Sequence, residues 1–134
     1  MSTARHILVV EDERHLAMGI KFNLEQESYR VTAVTSGPEA LQIIEENEPE
    51  VDLIILDIML PGMSGYAVAQ ELRHSFTEAK RPLLIAISGM WNEHADRRVA
   101  AQVGFDHYLA KPCDPGEIFA LLEPLRGSEP LRGS

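Results

Sequence analysis

The chain has 134 residues, 45% of them hydrophobic, which suits one domain with a buried core and is too short for two. It carries 12 Lys and Arg against 21 Asp and Glu, a net charge of −9, which disfavours direct binding to nucleic acid or to an anionic membrane surface. A single cysteine excludes an internal disulfide and a cysteine-based zinc cluster.

Five short apolar runs predict β-strands. They are Ile7–Val10, Val31–Val34, Leu53–Leu56, Leu83–Ile87 and Tyr108–Leu109. Runs of this kind, without alternating polar residues, are typical of strands that are covered on both faces, as in a parallel sheet.

Longer amphipathic segments follow the strands and predict helices. They lie at about 13–27, from Ser36, from near Ser64, at about 92–103 and from Asp114. The first places Leu16, Ile20 and Leu24 on one face, and the second opens with the capping pattern Ser36-Gly37-Pro38-Glu39. A β-α unit repeated five times predicts an α/β fold with a doubly wound, five-stranded parallel sheet.

Polar side chains follow four of the predicted strands. Glu11-Asp12-Glu13 follows the first strand, Asp57 the third, Ser88 the fourth, and Lys111 the fifth. In an open α/β sheet, ligands bind beyond the carboxyl ends of the strands. Clustered carboxylates need a counter-charge, which a hard cation such as Mg²⁺ supplies. A lysine suits a phosphoryl group, and a lone aspartate can become an aspartyl phosphate. The pattern therefore predicts a magnesium and phosphoryl site.

Four motifs carry a resemblance to a known family. They are Val9-Val10-Glu11-Asp12-Glu13, residues 56–65 (LDIMLPGMSG), Ala86-Ile87-Ser88-Gly89 and residues 104–112 (GFDHYLAKP). With these motifs in order at the strand ends, the chain resembles the receiver domain of bacterial two-component response regulators, the CheY-like family, over about residues 5–124. The resemblance implies a flavodoxin-like (βα)5 fold with strand order 2-1-3-4-5.

The resemblance also implies a role for each residue of the phosphoryl site. Asp57 would be the phosphoacceptor. Mg²⁺ (or Mn²⁺) would be bound by Glu11, Asp12 and Asp57 together with the backbone carbonyl of Met59. Lys111 would bind the phosphoryl group. Many family members have Asp where this chain has Glu11, and because Glu is longer, we expect it to reach the ion through a water molecule.

Two further residues are implied to carry the signal. Ser88 would be the switch hydroxyl, where Thr is commoner in the family, and Tyr108 the aromatic residue that turns inward on phosphorylation. Met59 and Met90 each follow a site residue by two positions, Asp57 and Ser88 respectively. Neither can orient an attacking water, so we hypothesise slow self-dephosphorylation.

The function implied by the resemblance is a phosphorylation-driven switch rather than an enzyme that turns over a substrate. Its phosphodonor would be a histidine kinase or a histidine phosphotransfer protein. Its output would be contact with a downstream protein through the face of the fourth helix, fifth strand and fifth helix. A free-standing regulator and the receiver segment of a hybrid kinase both stay open, and a homodimer is allowed.

Two alternatives come from other functional classes. A Mg²⁺-dependent phosphatase with an aspartyl nucleophile would place a second Asp where this chain has Met59, which argues against turnover. A flavin carrier would need a phosphate-binding loop after the first strand, where three acids would repel the phosphate. The dinucleotide fingerprint Gly-x-Gly-x-x-Gly is absent.

Composition gives the remaining expectations. No apolar run approaches the roughly 18 residues of a transmembrane helix, and the N-terminus lacks a signal-peptide pattern, so we expect a cytoplasmic protein.

We expect a receiver domain at 1–125 and a tail at 126–134 that is disordered or left over from cloning. The five histidines lack metal-ligand spacing and are predicted to lie at the surface. Residues 31–72 contain no Lys or Arg. We expect the kinase or phosphotransfer protein to meet a less acidic surface than the whole-chain charge suggests, so that charge reversal at Glu45–Glu50 has little effect on transfer.

Overall fold

The computed structural model describes residues 5–46, 50–60, 62–75, 82–89, 98, 101–111 and 115–122. The strands are β1 (His6–Val10), β2 (Arg30–Val34), β3 (Leu53–Asp57), β4 (Leu83–Ser88) and β5 (His107–Ala110). The helices are α1 (Arg14–Gln26), α2 (Gly37–Glu46), α3 (Gly65–Ser75), the described end of α4 (101–103) and α5 (Pro115–Leu122).

The five strands form one parallel sheet in the order β2-β1-β3-β4-β5. This confirms the predicted flavodoxin-like, doubly wound fold. In the centre of the sheet, Ile7 of β1 lies beside Val31 on one side and Leu53 on the other. All residues of β1 and β3 are buried, which explains why their sequences are apolar without alternation.

Alternate residues of each strand face opposite layers of helices. Leu8 and Val10 pack in a cluster with residues of α2 and α3, such as Ile44 and Val68. Their neighbours on β1 belong to a second cluster with Ile20 and Leu24 of α1 and Ile118 and Leu122 of α5. The sheet is therefore covered on both faces, and its strand ends are left as the place where polar side chains meet.

The second helix begins with the predicted capping interactions. Ser36 Oγ accepts the backbone N–H of Glu39 at 3.4 Å, and Ser36 Oγ donates in turn to Glu39 Oε1 at 3.1 Å. Glu39 Oε1 also accepts the backbone N–H of Thr35 at 3.1 Å. The capping box is thus present, with the N–H of Thr35 in place of that of Ser36.

The predicted elements differ from the structure at a few points. Each strand is longer than its apolar run, so that Asp57 and Ser88 are the last strand residues of β3 and β4. Most of the helix predicted at 92–103 lies outside the described residues. The prediction that His6 lies at the surface is wrong, because it is 3% exposed. Its Nε2 lies 2.8 Å from Thr32 Oγ1 and its backbone N–H donates to Asp52 Oδ2 at 2.9 Å, so its polar groups have partners inside the fold.

Within the described part of the chain, no helix combines the length and hydrophobicity needed to cross a membrane.

Two glycines give a matched test of backbone packing. A Cβ on Gly65 would lie 2.5 Å from the carbonyl oxygen of Asp57 and 2.7 Å from Cα of Ile58. Because both atoms belong to the backbone, we expect Gly65→Ala to lower the free energy of unfolding by about 1–3 kcal/mol. A Cβ on Gly19 of α1 would meet no atom within 4 Å. Gly19→Ala should therefore stabilise the protein by about 0.5–1 kcal/mol. Urea denaturation measures both, and equal effects would contradict the packing argument.

Candidate functional site

Glu11 is the first residue after β1, and its side chain is fully buried. Its backbone N–H donates to the carbonyl oxygen of Val34 at 3.1 Å, which continues the pairing of β1 with β2. Its Oε1 accepts the backbone N–H of Glu13 at 3.0 Å, while Glu13 itself caps the N-terminus of α1. The start of α1 therefore fixes the direction in which the Glu11 carboxylate points.

Asp57 is the last residue of β3 and is also buried. Its Oδ1 accepts the backbone N–H of Met59 at 2.9 Å. The loop after it is held on both sides, because Ile58 N–H donates to Ile87 O at 3.0 Å and Gly65 N–H donates to Ile58 O at 2.8 Å. Gly65 lets α3 begin directly against this loop. The Asp57 carboxylate thus sits on a rigid strand end.

Lys111 joins the two buried carboxylates. Its Nζ lies 3.0 Å from Asp57 Oδ2 and 2.8 Å from Glu11 Oε2. Its backbone N–H donates to the carbonyl oxygen of Ser88 at 2.7 Å, which extends the pairing of β4 and β5 by one residue. The ends of β1, β3, β4 and β5 therefore bring the predicted acids and the predicted lysine into one cluster.

The pKa values of Glu11 and Lys111 reflect their burial and the excess of carboxylates over ammonium groups in the cluster. Burial, together with the nearby Asp57 carboxylate, raises the pKa of Glu11 to about 7, although the Lys111 ammonium group and the hydrogen bond from the Glu13 amide oppose the rise. Burial pulls the pKa of Lys111 down, but its close ion pairs with the two carboxylates outweigh burial and raise it. The lysine is therefore held in its charged form, while burial makes ionisation of Glu11 costly.

The donor set fits a hard divalent cation. Carboxylate oxygens of Glu11, Asp12 and Asp57 lie within 4.8 Å of one another, with Asp12 exposed and the other two buried. Among the described residues, Glu11 Oε2 accepts no well-directed hydrogen bond despite its closeness to Lys111. Three carboxylates face one ammonium group, so a further positive charge would be favourable.

The two predicted switch residues are both inside the protein. Ser88 is fully buried at the end of β4, where it lies beside Ala110 of β5. Tyr108 is 8% exposed and packs in the same cluster as Leu84 and Phe105. The inward position that is expected to follow phosphorylation is therefore already present in this structure.

Some contacts at the site are not predictable from the sequence motifs. The backbone N–H of Glu13 positions Glu11, and Gly65 allows α3 to contact the Asp57 loop. Gly65 belongs to the second of the four motifs but has no role assigned by the resemblance, and only its place just before an apolar helical pattern could have drawn attention to it. The carbonyl of Met59 stays a predicted ligand.

Comparison with known proteins identifies the family. The family model of the response regulator receiver domain matches residues 7–123. A receiver domain protein from Clostridium thermocellum is 28% identical with a TM-score of 0.80, covering 90% of this chain and 92% of that one. A CheY-like receiver domain from Methylobacillus flagellatus is 29% identical with a TM-score of 0.77, covering 92% and 100%.

A third structure, the BeF3-activated receiver domain of DrrB, shares the fold at 23% identity and a TM-score of 0.76, covering 91% of this chain and 97% of that one. The family match spans nearly all of the residues that form the sheet and its helices, and it includes all the residues of the acidic cluster and Lys111. The chain therefore belongs to the response regulator receiver domain family and is a domain of phosphorylation-based signalling.

Proposed function

We propose that Asp57 accepts a phosphoryl group from a phosphohistidine and that Lys111 and a bound Mg²⁺ assist the transfer. The observation that carries this proposal is the position of Lys111 Nζ between Asp57 Oδ2 and Glu11 Oε2, at 3.0 and 2.8 Å. An ammonium group at this position can pair with the Asp57 carboxylate before the transfer and with the attached phosphoryl group after it.

The transfer is a displacement at phosphorus. A carboxylate oxygen of Asp57 attacks the phosphorus atom, the P–N bond to the donor histidine breaks as the O–P bond forms, and the leaving imidazole takes up a proton from water. The Met59 N–H holds Asp57 Oδ1 at 2.9 Å, so the carboxylate enters the reaction in one orientation. Lys111 stabilises the negative charge on the phosphoryl oxygens.

Glu11, Asp12 and Asp57 would hold the magnesium ion, with the Met59 carbonyl as a proposed fourth protein ligand. When bound, Mg²⁺ supplies charge neutralisation for the transferring phosphoryl group. The full burial of Glu11 and its bond to the Glu13 amide favour a fixed position for one side of that site. Mn²⁺ has the same oxygen preference and is expected to substitute.

The output would pass from the phosphoryl group through Ser88 and Tyr108 to the face formed by α4, β5 and α5. Both side chains are buried next to the site's strand ends, where a new charge can shift their packing. The donor would be a histidine kinase or a histidine phosphotransfer protein in the cytoplasm, and the target a downstream protein. We propose that residues 1–125 form this receiver unit, either free-standing or within a hybrid kinase.

The first prediction concerns the phosphoacceptor. Incubation with Mg²⁺ and acetyl phosphate should add the mass of one phosphoryl group to the intact protein, measured by mass spectrometry. Asp57→Asn should abolish the adduct, because the amide is a poor nucleophile, whereas the exposed Glu46→Gln should not. Continuous release of phosphate without an adduct would instead support the phosphatase alternative.

The second prediction concerns the metal. Mg²⁺ at saturating concentration should raise the free energy of unfolding by about 1–3 kcal/mol, because it binds the folded site and not the unfolded chain. Glu11→Gln should remove most of this gain, since it deletes a buried ligand charge. Glu46→Gln makes the same charge change on an exposed part of α2, and its response to Mg²⁺ should match that of the unaltered protein. A response of equal size in Glu11→Gln and Glu46→Gln would instead indicate general screening of the negative charge.

The third prediction concerns the lifetime of the phosphorylated form. Met59 is 58% exposed, two residues after Asp57, and its side chain has no polar group that could orient a water molecule. Met59→Asn should speed the loss of the phosphoryl group by roughly threefold to tenfold, as expected for one added hydrogen bond. Intact mass followed over time after removal of the donor measures the rate. An unchanged rate would argue against slow hydrolysis caused by Met59.

A further inference from the structure

Helix α3 contacts the loop after Asp57 at its first residue and the turn before β5 near its other end. Its first residue, Gly65, packs against the backbone of Asp57 and Ile58 and donates its N–H to Ile58 O at 2.8 Å. Near its other end, Arg73 reaches the turn that precedes β5. One rigid helix thus connects the loop of the proposed phosphoacceptor with the strand that carries Tyr108.

The contact of Arg73 is with the end of α4. Its Nη1 donates to the carbonyl oxygen of Val103 at 3.1 Å. Val103 is the last helical residue there, so its carbonyl is one of those that the helix itself leaves without a partner, and a cation at that end is favourable. The next residue, Gly104, has a φ of +117°, and a Cβ on it would lie 2.7 Å from Arg73 Cδ. Glycine therefore both ends the helix and leaves space for the arginine.

A second contact fixes the same turn to α3. The rings of Tyr66 and Phe105 meet edge to face, with centroids 6.4 Å apart and planes at 71°. The following residue, Asp106, is held to β4, because its N–H donates to Leu84 O and its Oδ2 accepts Leu84 N–H, both at 2.8 Å. The chain from 103 to 106 is therefore attached to α3 and β4 just before it enters β5.

We propose that α3 couples Asp57 to Tyr108, and that Arg73 is a positioning residue that stabilises the buried position of the Tyr108 ring. The inference rests on the proposed function, in which phosphorylation of Asp57 favours the inward ring. The bond of Arg73 to Val103 occurs in a structure whose Tyr108 is already buried. The bond is therefore made in the conformation that phosphorylation would favour, and the proposal requires that it weakens when the ring turns outward.

The size of the effect follows from the exposure of the bond. Arg73 is exposed, so its hydrogen bond competes with water and contributes modestly. Coupling between two sites is reciprocal. If the Arg73 bond shifts the equilibrium towards the conformation that a phosphoryl group favours, then loss of the bond must weaken ligand binding at Asp57. The factor by which binding weakens equals the factor by which the ligand strengthens the bond. One hydrogen bond predicts roughly a threefold to tenfold change.

Beryllofluoride with Mg²⁺, a stable mimic of the phosphoryl group, provides the equilibrium probe. Its dissociation constant would be measured by NMR titration for the unaltered protein, Arg73→Gln, Arg73→Lys and Lys21→Gln. Lys21 is the matched control, because it also donates to a backbone carbonyl, Val31 O at 3.2 Å, but lies on α1. Amide hydrogen exchange at Asp106 reports the turn directly, and thermal unfolding checks that each variant is folded.

We expect Arg73→Gln to weaken beryllofluoride binding by roughly threefold to tenfold and to speed exchange at Asp106. Arg73→Lys keeps the charge and one donor group, so its dissociation constant should lie between those of Arg73→Gln and the unaltered protein. Arg73→Lys also provides the test if Arg73→Gln does not fold. Lys21→Gln should change neither quantity.

Faster exchange with unchanged or tighter beryllofluoride binding would overturn the coupling and leave the proposed function intact, since Arg73 would then be only a structural contact. An equal loss of affinity in Lys21→Gln would also overturn it, because the effect would then not depend on the turn before β5. Absence of beryllofluoride binding by the unaltered protein would refute the proposed function, and the coupling with it.

Discussion

The ammonium group of Lys111 between two buried carboxylates is the interaction on which the site depends. Glu11 and Asp57 stand at adjacent strand ends, and both are nearly inaccessible to water. Two like charges in such a place would repel each other and lose their hydration. The lysine at 2.8 and 3.0 Å offsets much of this cost, yet the pKa of Glu11 still rises to about 7. The cluster is therefore tolerated by the fold rather than required by it.

The parallel sheet explains why such a costly cluster can exist at all. Its central strands are covered on both faces by two apolar clusters, which provide most of the stability. The carboxyl ends of the strands are then free to carry charged groups, since no strand depends on them for its packing. Backbone N–H groups of Glu13 and Met59 hold the two carboxylates, so the geometry comes from the scaffold.

Much of this arrangement could be predicted from the sequence, because it depends on local patterns. Apolar runs located all five strands, and the polar residues behind them gave Glu11, Asp57 and Lys111, which the structure brings together. The strand order came from the family resemblance and not from periodicity. The burial of His6 was missed because its partner Thr32 is 26 residues away.

The same limit applies to the contacts of α3. Nothing in the sequence near Arg73 indicates a contact with Val103, which is 30 residues further along. The need for glycine at position 65 is likewise visible only in the structure, where the backbone of Asp57 lies against it. Such long-range contacts depend on how the helices pack on the sheet. They are also the contacts through which one side of the domain can influence another, so sequence patterns describe the phosphoryl site better than its connections.

A switch of this kind needs contacts of two different strengths. The groups proposed to bind the phosphoryl group must keep their positions in both states. Here Asp57 is buried at the end of β3, and Lys111 follows β5 and is partly buried. The contacts that distinguish the states must be weak, because one ligand can shift an equilibrium only by its differential affinity for the two conformations. The exposed bond from Arg73 to Val103 meets that requirement. The two hydrogen bonds between Asp106 and Leu84, in contrast, hold the same turn to β4, and they suit the part of the fold that keeps its position in both states.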